Sequence, residues 1–193
     1  MTEEVFDSRE RARRMDREER LKSLKPDELF KEVAGIKPGM TCVDLGCGPG
    51  ALSFPMVLCV GTEGTVYAVD YDAEMIKSVQ AKIPPPNLIP VQSDASRTGL
   101  DSRIADFCLL SLVLHEYEKS DAFIAEAFRL LKPGGKVLVL ERREGMDSSH
   151  PEDYQVTRQD IERSFRQAGF SGFQYIEWTE RLYVAIGIKG KSS

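Results

Sequence analysis

One stretch constrains this chain more than any other: Thr41-Cys-Val-Asp-Leu-Gly46-Cys47-Gly48-Pro49-Gly50. A short apolar run ends in glycines on alternate positions, and helix-compatible sequence, Ala51 to Val60, follows at once. Glycine lacks a Cβ, so the chain can turn sharply there and a ligand can approach bare backbone. In an open α/β sheet, a strand-to-helix corner of this kind lies at the carboxyl end of a central strand, where such folds bind ligands. The corner therefore predicts an α/β chain with a nucleotide-like ligand at residues 44–50.

Glycine spacing alone leaves the ligand open. Gly46-x-Gly48-x-x-Ala51 also satisfies the dinucleotide fingerprint, whose third position accepts alanine. Asp44, two residues before the first glycine, is placed to orient the turn or to meet a cationic group. Pro49 removes a backbone N–H from a loop that a pyrophosphate would want lined with donors. Gly64-Thr-Val-Tyr-Ala-Val-Asp70 reads as a second strand ending in an acid, placed to accept from the ribose hydroxyls of an adenosine. Leu88-Ile-Pro-Val-Gln-Ser reads as a third, with Asp94 after it, suited to an exocyclic amino group. Three consecutive strands each ending in aspartate are far more specific than the glycines.

Val43-Asp44-Leu45-Gly46-Cys47-Gly48-Pro49-Gly50, Val69-Asp70, Ser93-Asp94 and Leu130-Leu-Lys-Pro-Gly-Gly-Lys-Val-Leu-Val139 resemble, in order and spacing, the motifs of class I S-adenosylmethionine-dependent methyltransferases. The resemblance spans roughly residues 30 to 188. Within that superfamily the chain is most similar to small-molecule methylases related to quinone biosynthesis, down to the leader Ile36-Lys-Pro-Gly-Met-Thr41. The resemblance implies S-adenosyl-L-methionine as cofactor and a small-molecule methyl acceptor. It places Gly46, Cys47, Gly48 and Gly50 against the methionine part and Asp70 on the ribose. Tyr71 and Met75 would lie near the adenine, with Asp94 and the Ala95 backbone on its edge. Ser111 would face the transferred methyl. Ala51-Leu52 stand where close relatives often carry an aromatic residue.

The rest of the chain reads as a βα alternation. Residues 7–34 are highly charged, and Pro26-Asp-Glu suits the first turn of a helix. Residues 1–30 are expected to be a helical segment, either a cover over the site or a solvated tail, and residues 31–193 one methyltransferase domain. Asp72 is expected to cap a helix Ala73 to Lys82 and Ser120 a helix Asp121 to Leu131; a further helix is expected to begin at Thr157 and run to Ala168, stopped by Gly169. Asp106 to Leu112 is a continuous apolar strand of the kind buried on both faces of a parallel sheet. Gly134-Gly135 is expected to turn the chain into a strand Lys136 to Leu140. Gly172–Trp178 and Tyr183–Ile188, joined by a tight polar link, predict an antiparallel pair. The fold expected is Rossmann-like, a seven-stranded mostly parallel sheet with an antiparallel C-terminal hairpin and helices on both faces.

The acceptor side is less legible. His115 follows the fourth strand and is a candidate general base, or equally an orienting or packing residue. Glu116 and Tyr117 share its loop, and His150 lies in a polar loop from Arg142 to Val156, where Arg142 and Arg143 are candidate anion ligands. Residues 111–115, Ser-Leu-Val-Leu-His, are unlike the Asn/Asp-Pro-Pro-aromatic motif of nucleobase methylases. The net charge of −5 also disfavours a nucleic-acid substrate. No run reaches membrane-spanning length and no secretory signal is evident, so a cytoplasmic setting is expected. The four cysteines form no Cys-x-x-Cys pair and read as reduced, mostly buried residues without a metal. Two rivals stand beside the methyltransferase reading: a nicotinamide-dependent reductase, and a non-catalytic adenosylmethionine-binding regulator.

Overall fold

The computed structural model describes residues 22, 24–117, 120–144 and 154–191. Most of the segment 1–30, His150 and the polar loop around it thus lie outside the described residues. Seven strands form one sheet: β1 (Thr41–Leu45), β2 (Thr65–Asp70), β3 (Leu88–Gln92), β4 (Ala105–Ser111), β5 (Leu131–Arg142), β6 (Phe170–Glu177) and β7 (Leu182–Lys189). Among the described residues, the helices α1 (Glu28–Ala34), α2 (Ser53–Val60), α3 (Ala73–Ala81), α4 (Asp121–Leu130) and α5 (Arg158–Ala168) accompany them, with a short 3-10 turn Leu114–Glu116. The strand order is β3-β2-β1-β4-β5-β7-β6, with β7 antiparallel to both β5 and β6 and the other pairings parallel. The expected mostly parallel sheet with its C-terminal hairpin is what forms.

Strand periodicity divides the core between two faces. In β4, Phe107 and Leu109 pack with Leu29 and Phe30 of α1 and Met56 and Val60 of α2. The alternate residues Cys108 and Leu110 pack with Ile124 and Leu130 of α4 and Ile161 and Phe165 of α5. Successive strand side chains point to opposite faces, so a continuous apolar run is what a sheet covered on both sides requires. The order reverses between β1 and β4. That switch point leaves a crevice at the carboxyl ends of the strands, next to the glycine corner.

Local chemistry sets the helix ends. Asp72 accepts from the Glu74 N–H at 2.8 Å, and Thr157 and Asp160 form a reciprocal capping box on α5. Gly169 closes α5 at φ 99°. Ser120, expected to cap α4, makes no capping bond; the Asp121 carboxylate instead accepts from Ser164 Oγ on α5. Helix α2 begins at Ser53 rather than Ala51, because Pro49 to Leu52 complete the turn out of β1. Helix α1 is wound as a π-helix, its widened turn closing with the Gly35 N–H on Phe30 O. Gly134-Gly135 does not turn into β5. The strand already starts at Leu131, and these glycines lie within it beside the register shift between Ala105 and Phe107.

Candidate functional site

A cavity of about 390 Å³ opens at the carboxyl ends of β1, β2 and β4. Its floor is the glycine corner. Gly46 and Cys47 both donate to Val69 O at 2.9 Å, which folds the corner across the end of β2. Gly46 has φ 76°, and a Cβ there would stand 2.7 Å from Val113 Cγ2. Only glycine lets the corner and the loop after β4 approach this closely.

Two carboxylates lie on this floor. Asp70, at the end of β2, accepts from the Gly48 N–H at 2.8 Å through Oδ2 and from the Asp72 N–H at 2.9 Å through Oδ1. Each carboxylate oxygen keeps a further lone pair, so a diol can still bind there. Asp44 is 2% exposed and accepts from Ser53 Oγ at 2.6 Å. Burial pushes its carboxyl up to about 7; the Ser53 hydroxyl acts the other way, and the Asp70 charge adds to the rise. Burial likewise raises the Cys47 thiol, whose Sγ lies 3.3 Å from Gly48 O, so this cysteine is a packed wall and not a nucleophile.

Asp44, Gly46, Cys47, Gly48, Asp70, Tyr71, Met75, Ala95 and Ser111, all expected from sequence, line the cavity. Gly50, Asp94 and His115 are not among its lining residues. Gly50, at φ 80°, has Phe54 and Val79 where a side chain would go, and serves the turn. Asp94 is exposed and accepts from the Ser96 N–H at 2.8 Å. His115 is buried, with Nδ1 2.8 Å from Glu141 Oε1.

Residues with no clear sequence signal complete the wall: Leu24, Leu52, Leu112, Val113 and Phe123, beside Glu116 and Tyr117. The Tyr117 and Phe123 rings lie 4.6 Å apart. Leu24 is brought in from far along the chain, its carbonyl taking the Trp178 indole N–H at 3.0 Å. No Lys or Arg is among the described lining residues. Arg143 stands elsewhere, 3.2 Å from Glu177, in a separate recess with Arg158 and Tyr175. The four cysteines are free and buried. Among the described residues, no metal-holding cluster forms and no helix is long and apolar enough to cross a membrane.

Residues 43–139, which carry the glycine corner, the Asp70 strand end and the loop after β4, match the model of the methyltransferase domain family. The chain belongs to that family. Among relatives of this methyltransferase-domain chain, a 2-phytyl-1,4-naphthoquinone methyltransferase from Trichormus variabilis is 31% identical over 127 residues, covering 62% of this chain and 56% of the relative. A ubiquinone/menaquinone biosynthesis C-methyltransferase from Shewanella pealeana is 34% identical over 114 residues, covering 57% and 45%. The chain thus spans about half the length of the curated relatives it matches. A SAM-dependent methyltransferase structure from Aquifex aeolicus superposes with TM-score 0.76 at 24% identity, covering 84% of this chain and 88% of that one. A Haemonchus contortus phosphoethanolamine N-methyltransferase gives 0.74 at 14% identity, covering 86% and 52%. Both share the fold of this methyltransferase-domain chain.

Proposed function

We propose that the chain is an S-adenosylmethionine-dependent methyltransferase acting on a small, predominantly apolar acceptor, a quinol being the nearest chemical type. One observation carries the reading. The cavity at the glycine corner is lined by the carboxylates Asp44 and Asp70 and, among the described residues, by no basic side chain. A pyrophosphate would meet two acids and a proline there, whereas a cationic ligand with a ribose diol meets matching groups. The sulfonium of the bound cofactor would supply an already electrophilic methyl group.

The chain's own residues then bind, orient and exclude water. Gly46 to Gly48 lie along the methionine portion, Asp70 accepts from the ribose, and Tyr71, Met75 and the Ala95 backbone flank the adenine. Asp94, exposed and next in the chain to the lining residue Ala95, accepts from the adenine amino group, and Gly50 serves the turn. Ser111 faces the methyl end. Leu24, Leu52, Val113, Tyr117 and Phe123 form a dry wall that positions the acceptor for in-line transfer. Relatives that methylate a phytyl-naphthoquinone, or act in ubiquinone/menaquinone biosynthesis, agree with so apolar a wall. Leu24 adds to that wall from the N-terminal side of the methyltransferase unit, residues 31–193. Four unbridged cysteines fit a cytoplasmic setting, and the −5 net charge fits a substrate other than nucleic acid.

Calorimetric titration with S-adenosylhomocysteine, with NADH as control, tests the cofactor. Transfer of a labelled methyl from S-adenosylmethionine to 1,4-naphthoquinol tests the acceptor. Binding of S-adenosylhomocysteine with silent NADH is expected; NADH binding would return the reductase. Cofactor binding without transfer to any small acceptor would return the regulator.

A further inference from the structure

Two buried polar side chains stand outside the cavity lining: His115, in the 3-10 turn Leu114–Glu116 after β4, and Glu141, near the end of β5. They are 6% and 1% exposed. His115 Nδ1 stands 2.8 Å from Glu141 Oε1, and the Arg142 backbone N–H donates to the same oxygen at 2.9 Å. Glu141 Oε2 has no hydrogen-bond partner among the described residues. Tyr183, opposite Glu141 across the β5–β7 ladder, sends its hydroxyl to Val156 O instead.

The Arg142 N–H can only donate, so Oε1 accepts there and keeps a lone pair toward His115 Nδ1. An Nδ1–H donating into that lone pair would satisfy both atoms.

The pair is placed where the wall is shaped. Leu112, Val113, Glu116 and Tyr117 line the cavity, while His115 between them turns away into the core. Leu112 has φ 55°, a left-handed conformation that a leucine keeps only when its surroundings hold it. What holds it comes from the end of β5: the Leu112 N–H donates to Leu140 O at 2.8 Å, and the next residue, Glu141, takes His115. The His115 carbonyl also accepts from the Tyr154 N–H at 2.7 Å.

We propose that His115 serves this site as a hydrogen-bond donor to Glu141, the two forming a positioning pair that braces the strained corner Leu112–Tyr117, and that it does not take the proton of the acceptor. This rests on reading the cavity as a methyl-transfer site. An asparagine amide can replace an Nδ1–H donor but cannot act as a base, and that separates the two roles.

The test combines imidazole nitrogen NMR with substitutions. The chain has two histidines, so His150→Gln assigns the spectrum. His115 Nδ1 is expected to bear its hydrogen in the wild type and in Glu141→Gln, which keeps an acceptor oxygen, and to lose that preference in Glu141→Leu. With 1,4-naphthoquinol as probe, His115→Asn is expected to keep most of the transfer rate. His115→Leu should fall by about tenfold or more, with S-adenosylhomocysteine binding unchanged in both. A wild-type Nδ1 without hydrogen overturns the proposal. So does His115→Asn as inactive as His115→Leu while still binding S-adenosylhomocysteine. If the wild type leaves the quinol unmethylated, the acceptor reading fails separately, and the nitrogen spectra decide the pairing alone.

Discussion

The Gly48 backbone N–H donates to Asp70 Oδ2 at 2.8 Å, joining the glycine corner of β1 to the end of β2. The acid proposed to hold the ribose therefore also holds the glycine loop. On that proposal, binding and loop order are coupled through one carboxylate.

Asp70→Ala should weaken S-adenosylhomocysteine binding by about 1.5–3 kcal/mol, roughly 10- to 150-fold, because ligand and loop both lose their acceptor. Asp70→Asn keeps one acceptor oxygen and should lose less. Calorimetry on the two variants checks the order. Equal loss in both would show that the loop bonds contribute nothing.

The Asp44 carboxyl is raised to about 7 by burial, so the folded state prefers its neutral form. The stability it contributes is fully present below the unfolded value near 3.8, and is lost as pH rises through about 7. The total is on the order of 4 kcal/mol as an upper limit. In denaturant titrations from pH 4 to 8, Asp44→Asn should flatten this fall relative to wild type. A cationic ligand draws Asp44 to its charged form, so S-adenosylmethionine binding near pH 6.5 should release protons and tighten with pH. Calorimetry in buffers of different ionisation enthalpy reads that release, which should vanish in Asp44→Asn.

Gly46→Ala combines a left-handed φ of 76° with a Cβ 2.7 Å from Val113 Cγ2. It should destabilise by about 1–3 kcal/mol. Adding Val113→Ala should recover the steric part and leave the backbone part, a non-additivity that thermal or urea unfolding of the double-mutant cycle would read. Simple additivity would mean that the close approach costs nothing.

Thr157→Ala removes the capping box of α5 and should cost about 1 kcal/mol in urea unfolding. Asp160 shows the opposite pH sign to Asp44. The Thr157 side-chain hydrogen bond holds its carboxyl below the usual carboxylate value. Its contribution is present above the unfolded value and lost as pH falls through the folded one, so the Thr157→Ala deficit should shrink in acid.

Local chemistry makes much of this protein legible in its amino-acid sequence. The residue types of a glycine corner, strand-ending aspartates and helix caps act within a few positions of themselves. Cys47, Gly48, Asp70 and Ala95 thus line the cavity as their positions imply. The apolar run of β4 likewise announces burial on both faces. Where local rules fail, a distant partner intervenes: Asp121 meets Ser164 on α5 while Ser120 makes no cap, and the start of β5 at Leu131 is set by its pairing with Ala105.

The apolar wall of the cavity is encoded nowhere locally. Leu24 reaches it through a bond to Trp178, Phe123 from α4, and Val113 because Gly46 has no side chain in its way. By sequence His115 could equally be a base or a packing residue; the fold sets Glu141 against its Nδ1. The strands and the glycine corner can be read from the chain alone, since each depends on contacts made within one element or one turn. The apolar side of the cavity needs the folded protein, because its walls come from segments far apart in the chain and meet only when the sheet closes them together.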